Sequence, residues 1–425
     1  MARAKARRIR TMRLFTSFLF ALGLLSAHAP LCGQEERIDS LRLNRTEVNK
    51  QLLHGVKMAA PIVGAGFLQT LNNQYVRELR FAYYPRFRHR YDDYLQFVPL
   101  AGQLGLRLAG VRGVTDNLLQ MASADAVASL TMLALTSAIK YTARVERPDG
   151  SSRNSFPSGH TTMAFTSAEL LNIEYGDRFP WLRPISYTVA TATGVGRLLN
   201  NRHWIGDVVT GAGLGILSAH FGYWATDLLF GRSRRNHIPS PLFPREGFLL
   251  YLPIESGTLH TKRGAEWYAV SRAFGLGVEY TPPSFPLFLQ AQAQLALHRI
   301  YRHSKTGEEL GAELKGLRLQ LGLGKDFSIW EDFGLNVSTH ARLMRYVGQD
   351  VVRPEEIQRV TVPRWRIGMG IELAPHWQFT RHLGIRVPCG VDYFPSSLRF
   401  MPLGGEEVRL RGLSYYISSS LEVHL

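Results

Sequence analysis

Apolar residues along this 425-residue chain change their spacing once, at a polar, Pro-rich stretch over 233–244, so the two sides need different architectures. Before that stretch, apolar blocks of helical length cover 56–71, 95–111, 122–139, 161–171, 185–199 and 208–229. Gly, Pro and charged residues separate them, which predicts roughly six helices. Lys57, Arg107, Asp125, Glu169 and Arg197 interrupt the blocks. They therefore read as a buried bundle touching a membrane as readily as a set of full spans. After the stretch the period is two. Leu289, Ala291 and Ala293 alternate with Gln290, Gln292 and Gln294, and Ile367, Met369 and Ile371 alternate with Arg366, Gly368 and Gly370. Similar runs lie at 333–343, 383–393 and 413–425, with weaker ones at 248–254, 267–280 and 314–325. That predicts about eight strands with one apolar and one polar face, the pattern of a small antiparallel barrel of outer-membrane type; a soluble sandwich or lipocalin-like barrel alternates in the same way.

The first 33 residues read as a leader. Six basic residues fall within 1–13, an apolar run follows over 14–25, and small residues come after it. The run is shorter than the ~20 residues of a membrane span, which favours a secretory signal over an anchor. The expected organisation is α plus β in separate domains: a signal peptide over 1–33, a helical bundle over 34–235, and an antiparallel, β-barrel-like domain over 245–425. Cys32 and Cys389 are the only cysteines, which excludes a disulfide scaffold and a Cys-based zinc site. The formal charge is +16, and the leader, which holds no acid before residue 14, accounts for six of it. The remaining surplus suits an anionic partner. Nucleic acid fits poorly, because the basic residues are scattered or drawn into the motifs below and no binding module appears.

Three clusters in the helical half carry chemistry. They are Lys140 with Arg147-Pro148, then Pro157-Ser158-Gly159-His160, then Arg197 with His203 and Asp207. Taken singly, each has an ordinary reading: solvated charge at a helix end, a helix N-cap, and a same-face pair four residues apart. Together they meet the needs of phosphoryl transfer. Lys140, Arg147 and Arg197 supply three cations for the equatorial oxygens. Ser158, Gly159 and His160 open a helix whose N–H groups suit the same anion, and Gly159 allows close approach. His203 is the nucleophile, with Asp207 fixing its tautomer, and His160 is the general acid.

In this order and spacing, the clusters resemble the membrane phosphatidic-acid-phosphatase superfamily, which also holds bacterial acid phosphatases and vanadium haloperoxidases. The resemblance covers 140–207, and more loosely 91–229. It implies a helical bundle, a phosphohistidine on His203, and no metal or cofactor. It also implies the roles just given, with Lys140, Arg147, Ser158, Gly159 and Arg197 holding phosphate. Two departures are Gly196, where the family often has Ser, and a short gap from Pro148 to Pro157. With its leader and β-rich extension the chain most resembles the lipid A 1-phosphatases of Gram-negative envelopes. The implied partners are a phosphorylated lipid and a membrane. Undecaprenyl pyrophosphate, phosphatidylglycerophosphate and soluble esters are the alternative substrates. The leader and barrel point to the outer membrane and the helices to the inner, with the site facing the periplasm in either case. A single helix over 93–111 is expected to line the lipid side.

Overall fold

The computed structural model describes residues 45–231 and 247–424, the latter without 260–266, 284, 305–306, 331, 355–356, 379–382 and 404–405. The expected leader and the junction at 233–244 lie outside the described residues.

The helical half contains eight α-helices among the described residues. They are α1 (Arg45–Gln69), α2 (Asn73–Tyr83), α3 (Tyr91–Leu95), α4 (Val98–Leu108), α5 (Leu118–Ala143), α6 (Gly159–Tyr175), α7 (Leu182–Leu199) and α8 (Ile205–Phe230). The two beyond the expected six, α2 and α3, are polar segments that apolar blocks do not reveal. The helix expected over 93–111 is broken: α3 ends at Leu95 and α4 starts at Val98 with Pro99 in its first turn, a position where the missing N–H costs nothing. The centre of the bundle is α8, apolar on every side and packed against α1, α5 and α6. Gly215 makes that contact possible, because a Cβ there would lie 2.4 Å from the Thr162 carbonyl oxygen of α6. Met58, Ile62, Phe165, Tyr187, Ala212 and Ile216 form the core between these helices.

The second half forms eleven strand segments: β1 (Gly247–Tyr251), β2 (Ile254–Leu259), β3 (Trp267–Thr281), β4 (Phe288–Ser304), β5 (Gly307–Ser328), β6 (Phe333–Val351), β7 (Ile357–Thr361), β8 (Trp365–Gln378), β9 (Leu383–Arg386), β10 (Cys389–Pro402) and β11 (Val408–His424). They make eight staves. Pro253 separates β1 from β2, Pro363 separates β7 from β8, and Pro388 separates β9 from β10, since proline cannot donate to a ladder. All pairings are antiparallel, and β11 pairs both with β10 and with β1 and β2, so the sheet closes into a barrel.

The polar face points inward. Gln292, Gln320, Arg342, Arg366, Glu372 and Arg386 are buried in the lumen, whereas Leu319, Leu321, Ile367, Met369, Ile371 and Ile417 are exposed outside. A soluble barrel has the opposite arrangement, so the sandwich and lipocalin-like alternatives fall away; a polar interior with an apolar outer band is the membrane-barrel pattern. Ion pairs fill the lumen: Arg342 bonds Glu255 and Asp392, Arg318 bonds Glu255, and Arg386 bonds Glu279 and Glu422. Buried charge is tolerated when it is paired in this way.

The bundle lies against the outer wall of this barrel. Tyr75, Val76 and Leu79 of α2 pack with Ile254 and Leu297. Glu78 bridges Arg272 of β3 and Arg299 of β4, at 2.5 and 2.6 Å. At the start of the same helix, Asn73 accepts a hydrogen bond from the Gly206 N–H of α8 at 3.1 Å. One helix thus ties the barrel wall to the end of α8 beside His203.

Candidate active site

The catalytic candidates gather where α5, α6, α7 and α8 meet two loops. His203 does not sit on a helix. It precedes the N-cap residue Trp204 of α8, and Asp207 lies in the first turn, where its Oδ2 accepts the Trp204 N–H at 2.9 Å. The same-face geometry expected from the four-residue spacing is therefore replaced by a capping turn, which brings His203 Nδ1 within 3.4 Å of Asp207 Oδ2. The Ser155 carbonyl is closer, 2.9 Å from Nδ1. A carbonyl oxygen can only accept, so Nδ1 carries the proton and the neutral ring keeps its lone pair on Nε2. Ser155 Oγ donates to Asp207 Oδ2 as well. His203 is 3% exposed and Asp207 1%.

Lys140, in the last turn of α5, donates to the Asn154 and Ser155 carbonyls at 2.5 and 3.4 Å. It thereby holds the loop that holds His203. Arg147 Nε donates to Asn154 Oδ1 at 3.0 Å. Burial, followed by repulsion from Arg202 and Arg197, lowers the Arg147 pKa from its usual value. Cations crowded in this way gain from an anion placed among them.

Ser158 caps α6: its Oγ accepts from Thr161 N–H and Oγ1–H, and its own N–H donates to the Asp207 carbonyl. Its N–H is thus engaged within the protein and it sets the position of the helix start, while Oγ, accepting in both contacts, keeps its own proton to donate. A Cβ built on Gly159 would meet nothing within 4 Å, so the first turn of α6 borders open space. N–H groups of a first helical turn lack intrahelical partners and suit an anion there.

Spacing gave no sign of a third group of residues. Arg197 Nη1 donates to Asp92 Oδ2 at 2.8 Å and lies 3.4 Å from Asp93 Oδ1. Asp93 Oδ1 is 3.0 Å from His160 Nε2. Gly196 also finds its reason here. A Cβ at that position would lie 2.9 Å from Asp92 Cβ and 3.0 Å from Tyr91 Oη, so serine would crowd α3.

A cavity of about 2670 Å³ opens on the site. Arg147, His160, Arg197, Arg202 and Asp207 line its polar side, and Phe67, Leu68, Leu71, Phe81 and Ile139 an apolar one. It has room for far more than a phosphate and suits a molecule that is anionic at one end and greasy at the other.

The two histidines titrate low. Burial pushes His203 down to about 4, against the opposing pull of Asp207. Burial and then Arg197 lower His160 below 6.5, with Asp93 opposing. A nucleophilic His203 must be neutral, so activity is gained as pH rises through about 4. An acidic His160 must be protonated, so activity is lost as pH rises through its lowered value. The expected kcat/KM profile is a bell with both midpoints below 6.5, measured as initial phosphate release against pH.

Comparison with known proteins shows the family. The PAP2 superfamily model matches residues 123–230. A lipid A 1-phosphatase of Porphyromonas gingivalis is 30% identical over 358 residues, covering 80% of this chain and 79% of that protein. Among solved structures, Aquifex aeolicus LpxE is 21% identical with a TM-score of 0.28, covering 36% of this chain and 94% of its own. The outer membrane protein OprG from Pseudomonas aeruginosa is 11% identical with a TM-score of 0.33, covering 43% of this chain and 98% of its own. With a relative this similar across most of both sequences, and the family model lying over the helices that build the site, the chain belongs to the PAP2 superfamily and is a phosphatase.

Proposed function

We propose that this phosphatase acts on a phosphorylated lipid of the Gram-negative cell envelope, removing the 1-phosphate of lipid A through a phosphohistidine on His203. One observation carries the reading. The match to the Porphyromonas gingivalis enzyme spans 80% of the chain, too much to lie in either half alone. The amphipathic cavity supports it, since a soluble ester needs no apolar wall.

In this reading His203 Nε2 attacks phosphorus, the N–P bond forms as the P–O bond breaks, and His160 gives a proton to the leaving oxygen. Water then attacks the phosphohistidine with His160 as base, which releases phosphate and restores both histidines. Arg147 and Arg197, the N–H groups of Gly159 and His160, and Lys140 through the loop it holds surround the transferring group. Ser158 starts the helix that presents those groups. The organisation we propose is a leader over 1–33, a catalytic bundle over 34–235 and a barrel over 245–425. The barrel sits in the outer membrane by its apolar band, and the site faces the periplasm.

The test offers lipid A, undecaprenyl pyrophosphate and phosphatidylglycerophosphate side by side to the purified full-length chain in detergent with EDTA. Fastest release from the 1-position of lipid A, unchanged by EDTA, is expected. Faster release from another lipid would reassign the substrate, and release from soluble esters alone would end the lipid reading.

A further inference from the structure

Helix α3 is short, and its sequence, YDDYL, places two carboxylates next to each other. The structure separates their tasks. Asp92 is 1% exposed and faces α7, where Oδ2 accepts from Arg197 Nη1 at 2.8 Å and Oδ1 from Asn200 Nδ2 at 3.1 Å. Asn200 also holds the chain leading into α3, accepting from the His89 N–H at 2.9 Å and donating to its carbonyl at 2.7 Å. Gly196 clears the room that Tyr91 and Asp92 occupy. An incidental surface ion pair would have none of this support. The Asp93 side chain, by contrast, is 45% exposed, lines the cavity and sits 3.0 Å from His160 Nε2.

We infer that α3 couples the phosphate clamp to the proton donor: Asp93 is the positioning residue for His160, and Asp92 is the positioning residue for Arg197. A carboxylate accepts only, so Nε2 of His160 carries the proton it shares with Asp93. The other nitrogen, Nδ1, is then left to protonate the leaving oxygen, while Asp93 stays ionised throughout. A carboxylate orienting one nitrogen so that the other does chemistry is the logic of the hydrolase triads. The charged groups facing His160 are Arg197 of α7 and Asp92 and Asp93 of α3. Arg197 disfavours the imidazolium and the two carboxylates favour it, so removing the Asp93 charge shortens the pH range over which His160 stays protonated.

This inference rests on the histidine mechanism proposed above but not on the identity of the lipid, and its test uses soluble esters for that reason. The full chain and its Asp93→Asn and Asp92→Asn variants would be assayed on para-nitrophenyl phosphate, whose leaving group needs little protonation, and on a short-chain alkyl phosphate, whose leaving group needs much. For Asp93→Asn we expect a loss of about 100-fold on the alkyl ester but only a few-fold on the aryl ester, with the alkaline limb of kcat/KM moved to lower pH. For Asp92→Asn we expect equal losses on both esters, weaker inhibition by inorganic phosphate, and a smaller movement of that limb than Asp93→Asn produces, because Asp92 acts on His160 by charge alone and without a hydrogen bond. Asp93→Glu should recover part of the alkyl activity. Equal losses on both esters for Asp93→Asn with the pH limb unmoved would overturn the assignment, as would no loss at all. Failure on lipid A with these differences intact would overturn the substrate reading alone.

Discussion

Replacing His203 with alanine is expected to lower phosphate release by on the order of 10⁵-fold or more, the scale seen when a covalent nucleophile is removed. The expectation follows from how completely the site is arranged around this imidazole. The Ser155 carbonyl and Asp207 fix the proton on Nδ1, and Lys140 anchors the same carbonyl from the other side. His160, the other imidazole at the site, is held through Nε2 by Asp93 and in this reading serves the leaving oxygen instead of attacking phosphorus. Circular dichroism and barrel heat-modifiability would show whether the variant is folded. Activity within 100-fold of the parent would rule out a covalent role for His203.

The second large effect belongs to Arg197. Arg197→Ala is expected to reduce kcat/KM by roughly 10³-fold, in line with the loss of an arginine that stabilises a phosphoryl transition state. Arg197→Lys should recover little. The guanidinium reaches Asp92 and Asp93 through one nitrogen and has others to offer phosphate. An ammonium is a single point and cannot do both at this separation. The removal also leaves Asp92 buried with only Asn200 as a partner, so a stability loss of about 3 kcal/mol should accompany it. Double substitution with Asp92→Asn should restore part of the stability and none of the activity, read from denaturant unfolding and phosphate release on the same samples.

The barrel was legible in the sequence because its period of two survives in long runs such as 287–297 and 365–373, and about eight strands were countable there. Alternation alone does not say which face meets the core, and it was the secretory leader ahead of the strands that favoured an outer-membrane type of barrel over a soluble one. The histidines, Asp207 and the cations could be found because phosphoryl chemistry dictates those residue types. Their arrangement differed where spacing was mistaken for geometry. The four-residue spacing of His203 and Asp207 suggested a helix face, yet the contact comes from a capping turn. Helix α2 escaped notice because Arg77, Glu78 and Arg80 interrupt its apolar residues, and two of its charged contacts reach the barrel wall. Asp92 and Asp93 were hidden for another reason. Asp92 meets Arg197 across 105 positions, and Asp93 meets His160 across 67. No local pattern encodes a contact of that length.

The claim that organises all of this is a phosphoryl group carried on His203. The most direct measurement is rapid quenching of the full-length chain during turnover of a phosphate-labelled substrate, followed by peptide mapping at alkaline pH. Label is expected on the peptide containing His203, stable in alkali, lost in acid, and absent from His203→Ala. Label on another side chain, or turnover in which no protein-bound phosphate forms and configuration at phosphorus inverts, would contradict it.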